Sequence, residues 1–145
     1  MARLRSGIGG TLVLDAEGLV KLSGGDPRAL SRAKLATLRG AAVVTPASTL
    51  AEVLRGGGPR DAPVHRTLTK VGVISIHAEQ ARAAGELLGR VGLSGHTHAL
   101  DALVAVVAMT QPPPVVILTS DTEDMELLVE EPHRRRTERI AVVRV

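Results

Sequence analysis

The sequence predicts an α/β sandwich built on a parallel sheet. Two observations carry this. Short β-rich apolar runs alternate with helical stretches, and the runs are nearly continuous in apolar character, as strands covered on both faces are. Gly and Pro clusters punctuate the chain between these elements: Gly24-Gly25, the stretch Gly56 to Pro59, Gly92 with Gly95, and Pro112 to Pro114. Such alternation implies right-handed crossovers between parallel strands.

The first strand is expected at Thr11–Leu14, ending on Asp15. Helices follow at about Ala16–Leu22 and Pro27–Leu38. The second strand, Ala42–Thr45, leads into a helix at Ala47–Arg55, with Thr45-Pro46 as the start signal and Pro at the first helical position. A helix at Asp61–Lys70 precedes the third strand, Val71–Ile76. Helices at Ala78–Val91 and Thr97–Thr110 come next. The fourth strand is Val115–Thr119, then a helix at Thr122–Glu130 and a last strand at Ile140–Val143. No linker or internal repeat divides the chain, so residues 1–145 are read as a single domain.

Apolar residues make up 44% of the chain and none is aromatic, so Ala, Val, Leu and Ile must form the core. The absence of Cys rules out disulfides and thiolate metal sites and fits a reducing cytoplasm. Two arginines near Met1 have no apolar stretch behind them, and no run is long enough for a membrane span. A cytoplasmic protein without membrane contact is expected. The net charge is +3, with 15 Arg against 3 Lys, which is compatible with a polyanionic partner. Without aromatic rings the chain has no platform for stacking bases. Binding to RNA would have to use Arg, backbone amides and metal-bridged phosphates. The basic run His133-Arg-Arg-Arg136 reads as a solvated loop before it reads as a phosphate contact.

Five carboxylates stand out: Asp15, Glu52, Asp101, Asp121 and Asp124. Asp15 and Asp121 end apolar strands, and Asp101 interrupts the otherwise apolar Ala99–Ala108. Each has an ordinary explanation. Asp15 and Asp121 can cap the helices that follow, Ser120 and Glu123 can form a capping box, and Glu52 can close one with Thr49. Asp124 can serve the helix dipole. Asp101 resists such an account, because seven apolar residues follow it; His98, three residues earlier, can pair with it across one turn. Buried carboxylates that converge repel one another unless they share a cation. Ligands of open α/β sheets bind beyond the carboxyl ends of strands, where the strand order reverses. If the first and fourth strands are neighbours there, both terminal acids enter one crevice. Oxygen-only ligation suits Mg²⁺ or Mn²⁺. None of the five histidines has the paired spacing of a zinc site, so His65, His77, His96, His98 and His133 are read as surface or structural.

Gly7 to Gly10 precedes a strand, so it is no dinucleotide fingerprint, and neither a Walker sequence nor a nucleophile elbow is present.

In this order and spacing the acidic motifs resemble those of PIN-domain nucleases, most of all the VapC-type toxins of bacterial toxin–antitoxin pairs. The matching stretches are Leu12 to Ala16 with Asp15, Ser48 to Val53 with Glu52, His98 to Ala105 with Asp101, and Leu118 to Met125 with Asp121 and Asp124. Thr119 fits the family's small hydroxyl. Two departures are the missing aromatics and an additional acid, Glu17. The resemblance implies a PIN-like three-layer α/β/α sandwich with a five-stranded parallel sheet in the order 3-2-1-4-5. It implies a homodimer, a cognate antitoxin that blocks the site, and RNA cleavage leaving a 5′-phosphate. Asp15, Asp101, Asp121 and Glu52 would hold Mg²⁺ or Mn²⁺, with Glu52 completing the acidic set or orienting the attacking water. Asp124 would act through its neighbours, and Thr119 would position the water or a phosphate oxygen.

Two other readings compete: a PIN-fold RNA-processing nuclease outside any toxin pair, and a non-catalytic PIN-like or receiver-like binding module. A receiver needs an Asp ending its third strand, but that run ends Ser75-Ile76-His77, and the fifth strand lacks Lys.

Overall fold

The computed structural model of the protein describes residues 9–130 and 138–145; the run His133 to Arg136 and residues Gly7 and Ile8 lie outside the described residues. The strands are β1 Thr11–Leu14, β2 Ala42–Pro46, β3 Gly72–Ile74, β4 Val115–Thr119 and β5 Ala141–Arg144. The helices are α1 Ala16–Ser23, α2 Pro27–Leu38, α3 Ala47–Val53, α4 Ala62–Leu68, α5 Ala78–Val91, α6 Gly95–Met109 and α7 Thr122–Val129. All strand pairs are parallel, and the sheet runs β3-β2-β1-β4-β5, the order the resemblance implies. β1 and β4 are therefore neighbours, with Leu14 opposite Leu118.

Side chains alternate along the strands between two apolar layers. Val13, Val44, Val115 and Ile117 pack with α5, α6 and α7 residues such as Leu87, Ala105 and Met125. Leu12, Leu14 and Leu118 pack on the other face with Leu19, Ala29 and Val64. This period of two explains the continuous apolar runs: both faces are covered. Short aliphatic side chains let the helices come close. A Cβ on Gly18 would lie 2.6 Å from the Leu118 carbonyl oxygen, so α1 rests on β4 at glycine distance.

The ends of several elements differ from the sequence reading. α3 stops at Val53 because Leu54 is extended, at φ −82° and ψ 146°. Pro46 is its N-cap and lies just outside the helix. The Thr45 hydroxyl donates to the Leu14 carbonyl at 2.8 Å and does no capping. β3 begins at Gly72, because Val71 still closes the turn after α4 by donating to the Thr67 carbonyl. α6 starts at Gly95 after Ser94, two residues earlier than the pattern predicts. Among the described residues no single helix is long and apolar enough to cross a membrane.

Asp61 has a larger part than opening a helix. Its Oδ2 accepts the backbone N–H groups of Arg55 at 2.9 Å and Gly57 at 2.7 Å. These donors hold its carboxyl below the ordinary 3.8. It thereby closes the loop after α3, in which Gly56, Gly57 and Gly58 all have positive φ.

Gly18→Ala is expected to destabilise the protein by about 1–3 kcal/mol by pushing α1 off β4. Gly89→Ala, where a Cβ meets open space on α5, should be neutral or stabilising by up to about 1 kcal/mol. Thermal melts of the two variants check this.

Candidate functional site

Asp15 stands at the end of β1, where the chain turns into α1. It is buried, and its Oδ1 accepts the Gly18 N–H at 2.8 Å, so it caps α1. Capping does not exhaust its surroundings. The Thr119 hydroxyl lies near enough to the same carboxylate to favour its charged form. Thr119 is fully buried at the end of β4, and its Oγ1 also accepts the Asp121 N–H at 3.1 Å. The hydroxyl thus lies between the ends of β1 and β4, bonded to the Asp121 amide and favouring the charged form of Asp15. Asp121 in turn caps α7 by accepting the Asp124 N–H at 3.3 Å, in place of the Ser120–Glu123 box.

Burial holds the Asp15 carboxyl above its ordinary 3.8, outweighing the Thr119 and Gly18 donors that lower it; the charges of Asp101 and Glu17 push it further up. Glu52, half-buried on α3, is held above 4.5 first by burial, then by Asp101 and Asp15. Asp101 is raised above 3.8, again first by burial. His98 opposes that rise, and the charges of Asp121 and Asp124 reinforce it. The five carboxylates therefore share one field, with Asp101 as the member coupled to all the others.

The alternative Thr49–Glu52 capping box does not form. α3 has no side-chain cap, and the buried Thr49 hydroxyl has no hydrogen-bond partner among the described residues. Glu52 is left to face the other acids.

His98 pairs with Asp101 across one turn, as the spacing suggests, with Nδ1 3.4 Å from Oδ2. It also reaches Asp124, at 3.5 Å from its Oδ2. The imidazole is 18% exposed against 33% for either carboxylate, so it sits inside the acidic group and not on the surface. Sequence reasoning missed this second partner, because it depends on α6 and α7 packing together. Glu17 also gains a place: from the first turn of α1 its charge acts on Asp15.

Among the described residues these two His98 contacts are the only ion pairs. Among the described residues, no Lys or Arg is a leading cause of the shifts of Asp15, Glu52 or Asp101. Nor do three His, Asp or Glu side chains among the described residues close on one point as a ready metal cage. The donor set is still all oxygen, partly wet and negative. That fits a hard cation which keeps several waters and takes one or two carboxylates plus substrate phosphate.

Solved structures share the fold. A chain of VapBC2 from Rickettsia felis, in a complex with a DNA fragment from its promoter, aligns with a TM-score of 0.66 at 15% identity, over 93% of this chain and 98% of that one. A chain of a toxin–antitoxin complex from Klebsiella pneumoniae aligns with a TM-score of 0.56 at 20% identity, over 78% of this chain and 88% of that one. No protein-family model and no curated protein matches the sequence. The architecture is PIN-like; at such identities the likeness concerns the fold alone.

Raised carboxyl pKa values destabilise the folded state once the groups ionise. Their contribution is intact below the ordinary values and is lost as pH rises through the raised ones. In EDTA the melting temperature should therefore fall as pH climbs above 4.5. Asp101→Asn should raise it by a few degrees at pH 7 and flatten the fall. Melting curves over pH for both proteins check this.

Proposed function

We propose that this chain is a PIN-domain endoribonuclease of the VapC type, the toxin of a toxin–antitoxin pair, which hydrolyses RNA phosphodiesters with Mg²⁺ or Mn²⁺. The observation that carries the reading is the shared field of Asp15, Glu52 and Asp101, raised together near the carboxyl ends of β1 and β4, with no Lys or Arg paired to them among the described residues. The fold shared with chains of two toxin–antitoxin complexes supports it.

Asp15, Asp101, Asp121 and Glu52 would hold the cation. When bound, it supplies neutralisation of the charge developing on the phosphodiester and activation of a water. Glu52, with its raised pKa, is suited to orient that water and take its proton. Thr119 favours the charged form of Asp15 and holds the Asp121 backbone. His98 orients Asp101 and Asp124 together. The reading extends to one domain over residues 1–145, a homodimer, a cognate antitoxin and a cytoplasmic location.

One observation favours a second reading. Among the described residues no three acids or imidazoles close on one point, as a non-catalytic PIN-like binding module would allow.

Purified protein is expected to cleave labelled RNA with Mg²⁺ or Mn²⁺, to stop in EDTA, and to lose cleavage in Asp101→Asn. Full cleavage by a folded Asp101→Asn protein would overturn the site; no cleavage of tRNA or rRNA by folded wild type with either metal favours the binding module. His98→Gln should reduce activity about 10–100-fold, because it frees two carboxylates without removing either; steady-state rates on the same RNA measure this.

A further inference from the structure

Arg28, Ser31 and Arg32 of α2, with Leu35, face Arg144 of β5 across a cleft of about 380 Å³. None of the three guanidinium groups forms an ion pair among the described residues. Arg144 is held in place: its Nη1 donates to the Ser120 carbonyl at 2.9 Å and its Nη2 to the Thr122 hydroxyl at 3.0 Å. Ser120 and Thr122 flank Asp121, and Arg144 is paired in register with Thr119. The cationic cleft is thus hydrogen bonded to the turn that carries part of the acidic site.

Helix stability does not account for these arginines. Arg28 lies in the first turn of α2, where the dipole disfavours a cation; the one acid there, the N-cap Asp26, has Oδ2 bonded to the Ala29 N–H and pairs with no arginine among the described residues. Three like charges around one cleft repel until an anion enters, and guanidinium groups match phosphate oxygens in pairs. The neighbouring acids supply the demand. A cluster of carboxylates repels a polyanion, so a strand delivered there needs cations alongside to hold it. With no aromatic residue in the chain, that grip must fall on the backbone.

We propose that Arg28, Arg32 and Arg144 form a phosphate-binding cleft that holds single-stranded RNA backbone beside the acidic site. The identity of the ligand rests on the nuclease reading. Arg28 and Arg32 are exposed, and Gln is a good helix former, so Arg28→Gln/Arg32→Gln should keep the fold.

The test is fluorescence anisotropy of a labelled single-stranded oligoribonucleotide in EDTA, over a range of KCl, with cleavage kinetics in Mn²⁺ alongside. The double variant should bind about tenfold more weakly at low salt. Its slope of log K against log salt should shrink by about 1.4, for two lost phosphate contacts. The loss in cleavage should appear in KM and not in kcat. Unchanged affinity and slope overturn the cleft. Cleavage by both proteins with equal KM also overturns it and leaves the nuclease reading standing. Arginine-dependent binding without cleavage by wild type supports the cleft and overturns the nuclease. With poly-L-glutamate as a second probe, loss of its binding in the variant while RNA binding stays unchanged would assign the cleft to an acidic protein segment and overturn the RNA proposal.

Discussion

Carboxylates gathered in a half-buried place repel one another, and the rest of this structure is arranged so that they cannot move apart. β1 and β4 lie side by side, so Asp15 and Asp121 leave the sheet at the same edge. Asp15 is pinned by Gly18, and Asp121 by Thr119 and its own cap. Asp101 rides on α6, whose next turns are buried from Val104 to Ala108 and leave it no freedom to swing out. Each pin is an ordinary local interaction. Their sum is a field that the chain among its described residues answers with a single imidazole.

The packing beneath the site serves the same end. With no aromatic side chain to space the layers, α1 approaches β4 until only glycine fits at position 18. That approach sets the cap of Asp15, because the Gly18 N–H is its donor. On the opposite side, α6 and α7 pack over Val13 and Ile117, which brings His98 within reach of Asp124. Apolar packing and electrostatics are thus coupled: a change in helix spacing would reach the carboxylates.

Much of this was legible in the sequence, and the reason is physical. Strands covered on both faces must be apolar throughout, so Thr11–Leu14 and Val115–Thr119 announced themselves with their ends. α2 and α5, bounded by Pro27 and Gly92, matched to the residue. The acids were visible because a carboxylate in an apolar run needs a reason. Interactions formed by tertiary packing were not visible. Asp61 read as a helix start, yet it turns back to the amides around Gly57, which only the glycine run with its free N–H groups hinted at. His98 read as structural because its second partner lies on another helix. The cleft of Arg28, Arg32 and Arg144 joins residues far apart in the chain, and no local pattern marks it.

Neutralisation of the acidic group by a divalent cation is the proposal on which the nuclease reading rests. Isothermal titration of Mn²⁺ into the folded protein near neutral pH tests it most directly, with Asp101→Asn as the comparison. Saturable binding by the wild type is expected, with a marked loss in the variant. Equal binding by both proteins, or none by the wild type, would contradict it.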